Sequence, residues 1–195
     1  MEFPISYNCL NQNEFSEGEF KIVPLRYEDR MSIMKWRNEQ IYHLRQVEEL
    51  TADSQESYFR NTVASLFKKE KPSQILFSYL KNDTCIGYGG LVHINWIDKN
   101  AEISFIMNTE LEEKNFYFHW TMYLYMIEKV AFNELSLHKI NTYAYDLRPN
   151  LYRVLEDFGY EKEINSNLVL NGKSLKIITH TKHNKNLYES NNEKY

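Results

Sequence analysis

Four polar side chains with two-residue spacing give this sequence its first candidate chemistry: His93, Asn95, Glu102 and Ser104. They flank the turn-like stretch Ile97-Asp-Lys-Asn100. With Asp98-Lys99 as a two-residue hairpin turn, Asn95 faces Glu102 and His93 faces Ser104. Period-two alternation then sends all four to one side of a sheet. The other side pairs Trp96 with Ala101, Ile94 with Ile103 and Val92 with Phe105, which makes a core face. A carboxylate and an imidazole on one face can move protons. Glu102 is the first candidate base, acting through water, and His93 the second. A solvated sheet edge or a structural His–Ser bond uses the same residues without chemistry.

A second candidate lies just downstream. The alternating strand Asn100–Asn108 runs through a polar connector, Thr109 to Asn115, onto a long aromatic helix from Phe116 to about Asn133. The first N–H groups of a helix have no internal partner and sit at the positive end of its dipole, so Glu113 to Phe118 is a candidate anion site.

The elements that position these residues read in order as β-α-α-β-β-β-α-β-α-β-β, a mixed sheet covered by helices. Residues 1–18 are expected to form a loosely attached arm. Glu19–Pro24 reads as a strand and Tyr27–Asn38 as a helix with acidic Glu28 and Asp29 in its first turn. Thr51 caps a helix over 52–69 whose core stripe is Phe59, Val63, Leu66 and Phe67. Strands follow at Gln74–Leu80 and Cys85–Trp96, the second carrying Gly87, Gly89 and Gly90, where a backbone must be approached closely. After a strand from His138 to Tyr145, Pro149 opens a helix that Gly159 closes. Two strands near 160–170 and 173–181 join at Asn171-Gly172, and a polar tail from about 183 is expected to be disordered.

With 195 residues, a net charge of −4 and 15% aromatic residues, the chain suits one domain over about 19–182 and argues against a general nucleic-acid binder. The two cysteines, Cys9 and Cys85, have no metal-ligand spacing, so no metal site is expected, and they fit a reducing cytoplasm. No basic and apolar leader and no membrane-length apolar run is present, so a cytoplasmic protein with no membrane partner is expected.

Four segments, in this order and spacing, carry a family resemblance. They are Ile22-Val-Pro-Leu-Arg-Tyr-Glu-Asp29 with Lys35-Trp-Arg-Asn38, Ile86-Gly-Tyr-Gly-Gly-Leu91, Ala101-Glu-Ile-Ser-Phe105, and Tyr152-Arg-Val-Leu-Glu-Asp-Phe-Gly-Tyr160. Over roughly residues 20–180 the chain resembles the GNAT superfamily of acetyl-CoA-dependent N-acetyltransferases. It looks closest to the branch of ribosomal-protein N-terminal and nucleotide-amino-sugar acetyltransferases. The resemblance implies an α+β fold with a mixed, largely antiparallel sheet. It implies transfer of acetyl from acetyl-CoA to a primary amine, either a small-molecule amine such as a nucleotide-linked amino sugar or a protein α-amine. A GNAT-like scaffold without turnover is the remaining alternative.

The resemblance also distributes roles. The backbone of Ile106, Met107 and Asn108 would pair with the pantetheine arm. Glu113, Lys114, Asn115, Phe116, Tyr117 and Phe118 match the pyrophosphate loop, and Asn150 and Arg148 could reach a phosphate. Trp36, Arg37 and Asn38 match the acceptor region together with Asn95. Arg37 could hold a phosphate or carboxylate bidentately, or serve only as a surface ion pair. Two departures stand out. No glycine occurs between Leu91 and Phe158, where the family's loop carries two. The position of the family's Tyr general acid holds Leu155, and the Ser that often replaces it is Leu151. Tyr152 and Tyr145 are the remaining candidate donors to the leaving thiolate. The helix from Phe116 carries more aromatics than the core stripe Trp120, Leu124, Ile127 and Ala131 needs. The surplus suits adenine stacking or an oligomer surface such as a homodimer.

Overall fold

The computed structural model describes residues 2–170 and 173–185, the side chains of 164–175 excepted. Eight strands form one sheet in the order β1-β2-β3-β4-β5-β6-β8-β7. They are β1 Phe15–Glu17, β2 Phe20–Pro24, β3 Ile75–Lys81, β4 Thr84–Asn95, β5 Asn100–Met107, β6 Lys139–Tyr145, β7 Glu161–Leu170 and β8 Lys173–His183. Every neighbouring pair is antiparallel except β5 and β6. Six α-helices flank it: α1 Arg30–Glu39, α2 Ala52–Ser57, α3 Ala64–Leu66, α4 Thr109–Lys114, α5 Phe116–Glu128 and α6 Pro149–Asp157. The expected mixed sheet with flanking helices is therefore present. No helix among the described residues is long and apolar enough to cross a membrane. The expected Asn171-Gly172 turn and the tail from 186 onward lie outside the described residues.

Local chemistry explains most element ends. Thr51 and Ser54 exchange side-chain and backbone bonds in a capping box at the start of α2. Gly159 adopts φ +84° after α6, and Tyr160 N–H returns to the Leu155 carbonyl at 2.9 Å. The core joins Phe105, stacked on Tyr123 at 3.9 Å, to Tyr79 and Phe20. Gly89 lets these layers meet, because a Cβ there would lie 2.1 Å from the Ser104 carbonyl oxygen and 2.6 Å from the Tyr123 hydroxyl.

Three expectations are corrected. The N-terminal arm is not loose: Tyr7 is only 1% exposed, stacks on Phe67 at 4.1 Å, and its hydroxyl bonds both the N–H and the carbonyl of Leu76. Phe15 is buried in β1, so apolar burial anchors a stretch whose polar content suggested freedom. The polar connector is a helix, α4, because the Asn108 side chain accepts from Glu110 N–H at 2.9 Å and acidic residues fill the first turn. The hairpin register differs as well. Val92 stands opposite Glu102, Gly90 opposite Ser104 and Asn95 opposite Asn100. The loop spans Trp96–Lys99, and a bulge with His93 at φ +50° absorbs the difference.

Truncating Tyr7 to Ala should lower stability by about 3–5 kcal/mol, as for other large buried rings. A shift within about 0.5 kcal/mol in urea unfolding would return the segment to a surface arm.

Candidate active site

Strands β5 and β6 pair only over Asn100–Lys139, Ala101–Ile140 and Glu102–Asn141, then part. Asn108 N–H bonds to the Ile86 carbonyl on the β4 side. Period-two alternation therefore turns the backbone groups of Phe105 and Met107 toward the gap. A cavity of about 190 Å³ fills the gap, walled by Glu102–Ile106 on one side and Thr142–Tyr145 on the other. Arg37 and His43–Arg45 close it from the α1 side, and Trp120, Arg148 and Leu151 complete it.

The gap collects charge. Glu102 is 9% exposed, pairs with Arg45 and meets His93 Nδ1 at 2.9 Å. Arg45 also lies over the Tyr143 ring at 4.9 Å. Arg37 bonds only neutral partners, Gln46 Oε1 at 2.9 Å and the Tyr88 hydroxyl at 2.6 Å. It also walls a second cavity of about 280 Å³, where Tyr58, Phe59 and Tyr88 supply aromatic surface. Arg148 pairs with Glu112 and lies over Phe116 at 5.1 Å. His43 is 8% exposed and its Nε2 has no partner. Burial, reinforced by Arg148, pushes its pKa down to about 3, so it is neutral at pH 7. Gln40 donates its amide to the Met107 carbonyl at 2.8 Å and leaves its own Oε1 buried and unpaired.

The structure thus brings Glu102, His93, Ser104, Arg37 and Ile106 to or beside one cavity. His93 and Glu102 meet although their register was misread, because the bulge aims the imidazole at the carboxylate. Others stand apart. Asn95 accepts from Ile97 and Asp98 N–H groups and holds the hairpin loop. Asn38 pins the segment after α1 through both backbone groups of Leu50. Trp36 is core and Asn150 is exposed. Tyr152 does not line the cavity; its hydroxyl donates to Asp146 at 2.9 Å, whereas Tyr145 does line it. In the loop, Glu113 is exposed and Lys114 pairs with Glu110. Tyr117 donates to Asp157, and Phe118 turns to Phe20 at 5.4 Å. Asn115 places no side-chain cap on α5, so its first-turn N–H groups have no side-chain acceptor there. Only Phe116 remains under Arg148. Sequence reasoning missed His43, Arg45 and Gln40, which arrive through the turn after α1 and carry no motif.

Unpaired strand edges, an uncapped helix start and arginines near both suit an extended, anionic ligand with amide groups. The model of the GNAT acetyltransferase domain matches residues 22–170. The chain belongs to the GNAT acetyltransferases. Acetyl-CoA is the acyl donor of this family. No curated protein matches the sequence. Among solved structures, spermidine N-acetyltransferase from Vibrio cholerae in complex with CoA and spermine is similar in fold. It has 19% identity and a TM-score of 0.73, over 87% of this chain and 98% of that one. A dodecameric structure of the same enzyme gives 20% identity and 0.68, over 88% and 97%. A probable acetyltransferase gives 18% identity and 0.69, over 89% and 98%. These likenesses carry the GNAT scaffold; the branch expected from the sequence is not among these structures.

His43 makes the site sensitive to acid. Its folded pKa lies below the ordinary 6.5, so its contribution is complete above pH 6.5 and is lost as pH falls toward 3. Between pH 6.5 and 4.5 the loss is about 2–3 kcal/mol. His43→Gln should flatten that part of the stability profile in urea unfolding. An unchanged slope would mean that His43 does not stay neutral.

Proposed function

We propose that this GNAT protein transfers the acetyl group of acetyl-CoA to a small-molecule primary amine that also carries an anion, such as a nucleotide-linked amino sugar. The observation that carries the acceptor's charge is Arg37. Among the described residues this guanidinium has only neutral hydrogen-bond partners, and it stands between two cavities. A guanidinium without a counter-charge is a receiver for a carboxylate or phosphate. A polyamine would bring further ammonium groups past Arg37, Arg45 and Arg148. Spermidine, named for the enzymes of similar fold, therefore suits this cavity poorly.

The donor supplies a thioester carbonyl. Its amide-bearing arm would lie along the free edge at Phe105 and Met107, with Gln40 giving way at the Met107 carbonyl. The amine nitrogen attacks that carbonyl carbon, the C–S bond breaks, and the amine proton passes through water to Glu102. His93 and Arg45 hold Glu102 in place. Tyr145, on the cavity wall, is the candidate to return a proton to the departing sulfur. Holding the two substrates together supplies much of the acceleration.

Thiol release should be at least tenfold faster in kcat/KM with glucosamine 6-phosphate than with glucosamine, and slowest with spermidine. Arg37→Gln should remove about 1.5–3 kcal/mol of that preference and leave glucosamine unaffected. Preference for spermidine, or an equal loss on every amine, would contradict the anionic acceptor. Glu102→Gln should lower kcat roughly 10²–10⁴-fold. An unchanged kcat would remove Glu102 as the base.

A further inference from the structure

The pair Glu112–Arg148 joins α4 to the N-cap of α6. The two side chains are 11% and 13% exposed. One Glu112 oxygen meets the guanidinium; the other, Oε2, is buried without a partner. Burial pushes the Glu112 carboxyl up, against the opposing pull of Arg148. The guanidinium itself is well seated, over Phe116 at 5.1 Å and Trp120 at 5.9 Å, on the wall of the cavity between β5 and β6. The pair is therefore lopsided: the cation is held by rings and wall, while the anion gives up half its hydrogen bonding to stay.

Its surroundings favour exchange. α4 has six residues and none of them is fully buried, so little packing opposes its movement. Next to it, α5 runs for 13 residues from an uncapped start. An anion bridging Arg148 and that start would find more donors than Glu112 finds now.

We infer that Arg148 receives the diphosphate of acetyl-CoA, and that Glu112 is the internal anion that holds Arg148 until the coenzyme displaces it. The inference rests on the acetyltransferase reading. It explains how a loop without glycine serves a diphosphate. The donors come from a side chain and a helix start, and no close backbone approach is needed. Glu112 then swings to solvent, where both its oxygens are hydrated.

Calorimetric titration tests this with two probes, coenzyme A and pantetheine, which lacks the phosphates. Glu112→Gln should bind coenzyme A at least tenfold more tightly than the unaltered protein, with pantetheine unchanged. Arg148→Gln should weaken coenzyme A at least tenfold, again sparing pantetheine, and Arg148→Lys should recover part of that loss. Should Glu112→Gln fail to fold, Glu112→Asp shortens the reach to Arg148 and should act in the same direction. Unchanged or weaker coenzyme A binding by folded Glu112 variants overturns the exchange and makes the pair structural. If neither probe binds the unaltered protein or any variant, the acetyltransferase reading falls as well.

Discussion

Everything at this site follows from the shortness of one strand pairing. β5 and β6 share three registered pairs and then separate, although each continues for several residues. Backbone N–H and C=O groups in a protein interior must be bonded. A parted pair therefore creates a demand along two edges that the fold itself does not meet. The chain answers part of it internally, with the Gln40 amide on the Met107 carbonyl, and leaves Gln40 Oε1 unsatisfied in return. A ligand with amide groups of its own meets the same demand without that residue of cost.

Charge follows the same logic. Arg45 is matched by Glu102, Arg148 by Glu112, and Arg37 by neutral oxygens alone. Buried or half-buried ion pairs contribute little net stability, since desolvation offsets attraction. Their presence around one small cavity is better explained by what they recognise. Two substrates meet here, and the donor is certainly anionic. The guanidiniums sit on both sides of the gap, Arg37 on α1 and Arg148 at α6, so each substrate can meet its own cation.

Much of this was legible in the residues. Period-two alternation found β4 and β5, the Thr51 and Gly159 signals found helix ends, and four short segments in order pointed to GNAT. What stayed hidden had physical causes. A non-glycine residue at positive φ leaves no trace in a hydrophobic pattern, so the bulge at His93 shifted a register read from alternation. The N-terminal arm looked polar because its few anchors, Tyr7, Leu10 and Phe15, are separated by residues that stay outside. His43 and Arg45 reach the cavity from an irregular turn, where side-chain direction has no period to follow. Tyr152 matched a helix position but its hydroxyl found Asp146 first, a choice set by β6's end and not by local spacing.

Hydrogen exchange of backbone amides on adding coenzyme A puts the strand divergence to the most direct test. New protection should concentrate at Phe105 and Met107, along Tyr143–Tyr145 and in the first turn of α5, while the Asn100–Glu102 pairs stay as they were. Protection elsewhere with these amides unchanged would mean that the gap between β5 and β6 is not where the donor lies.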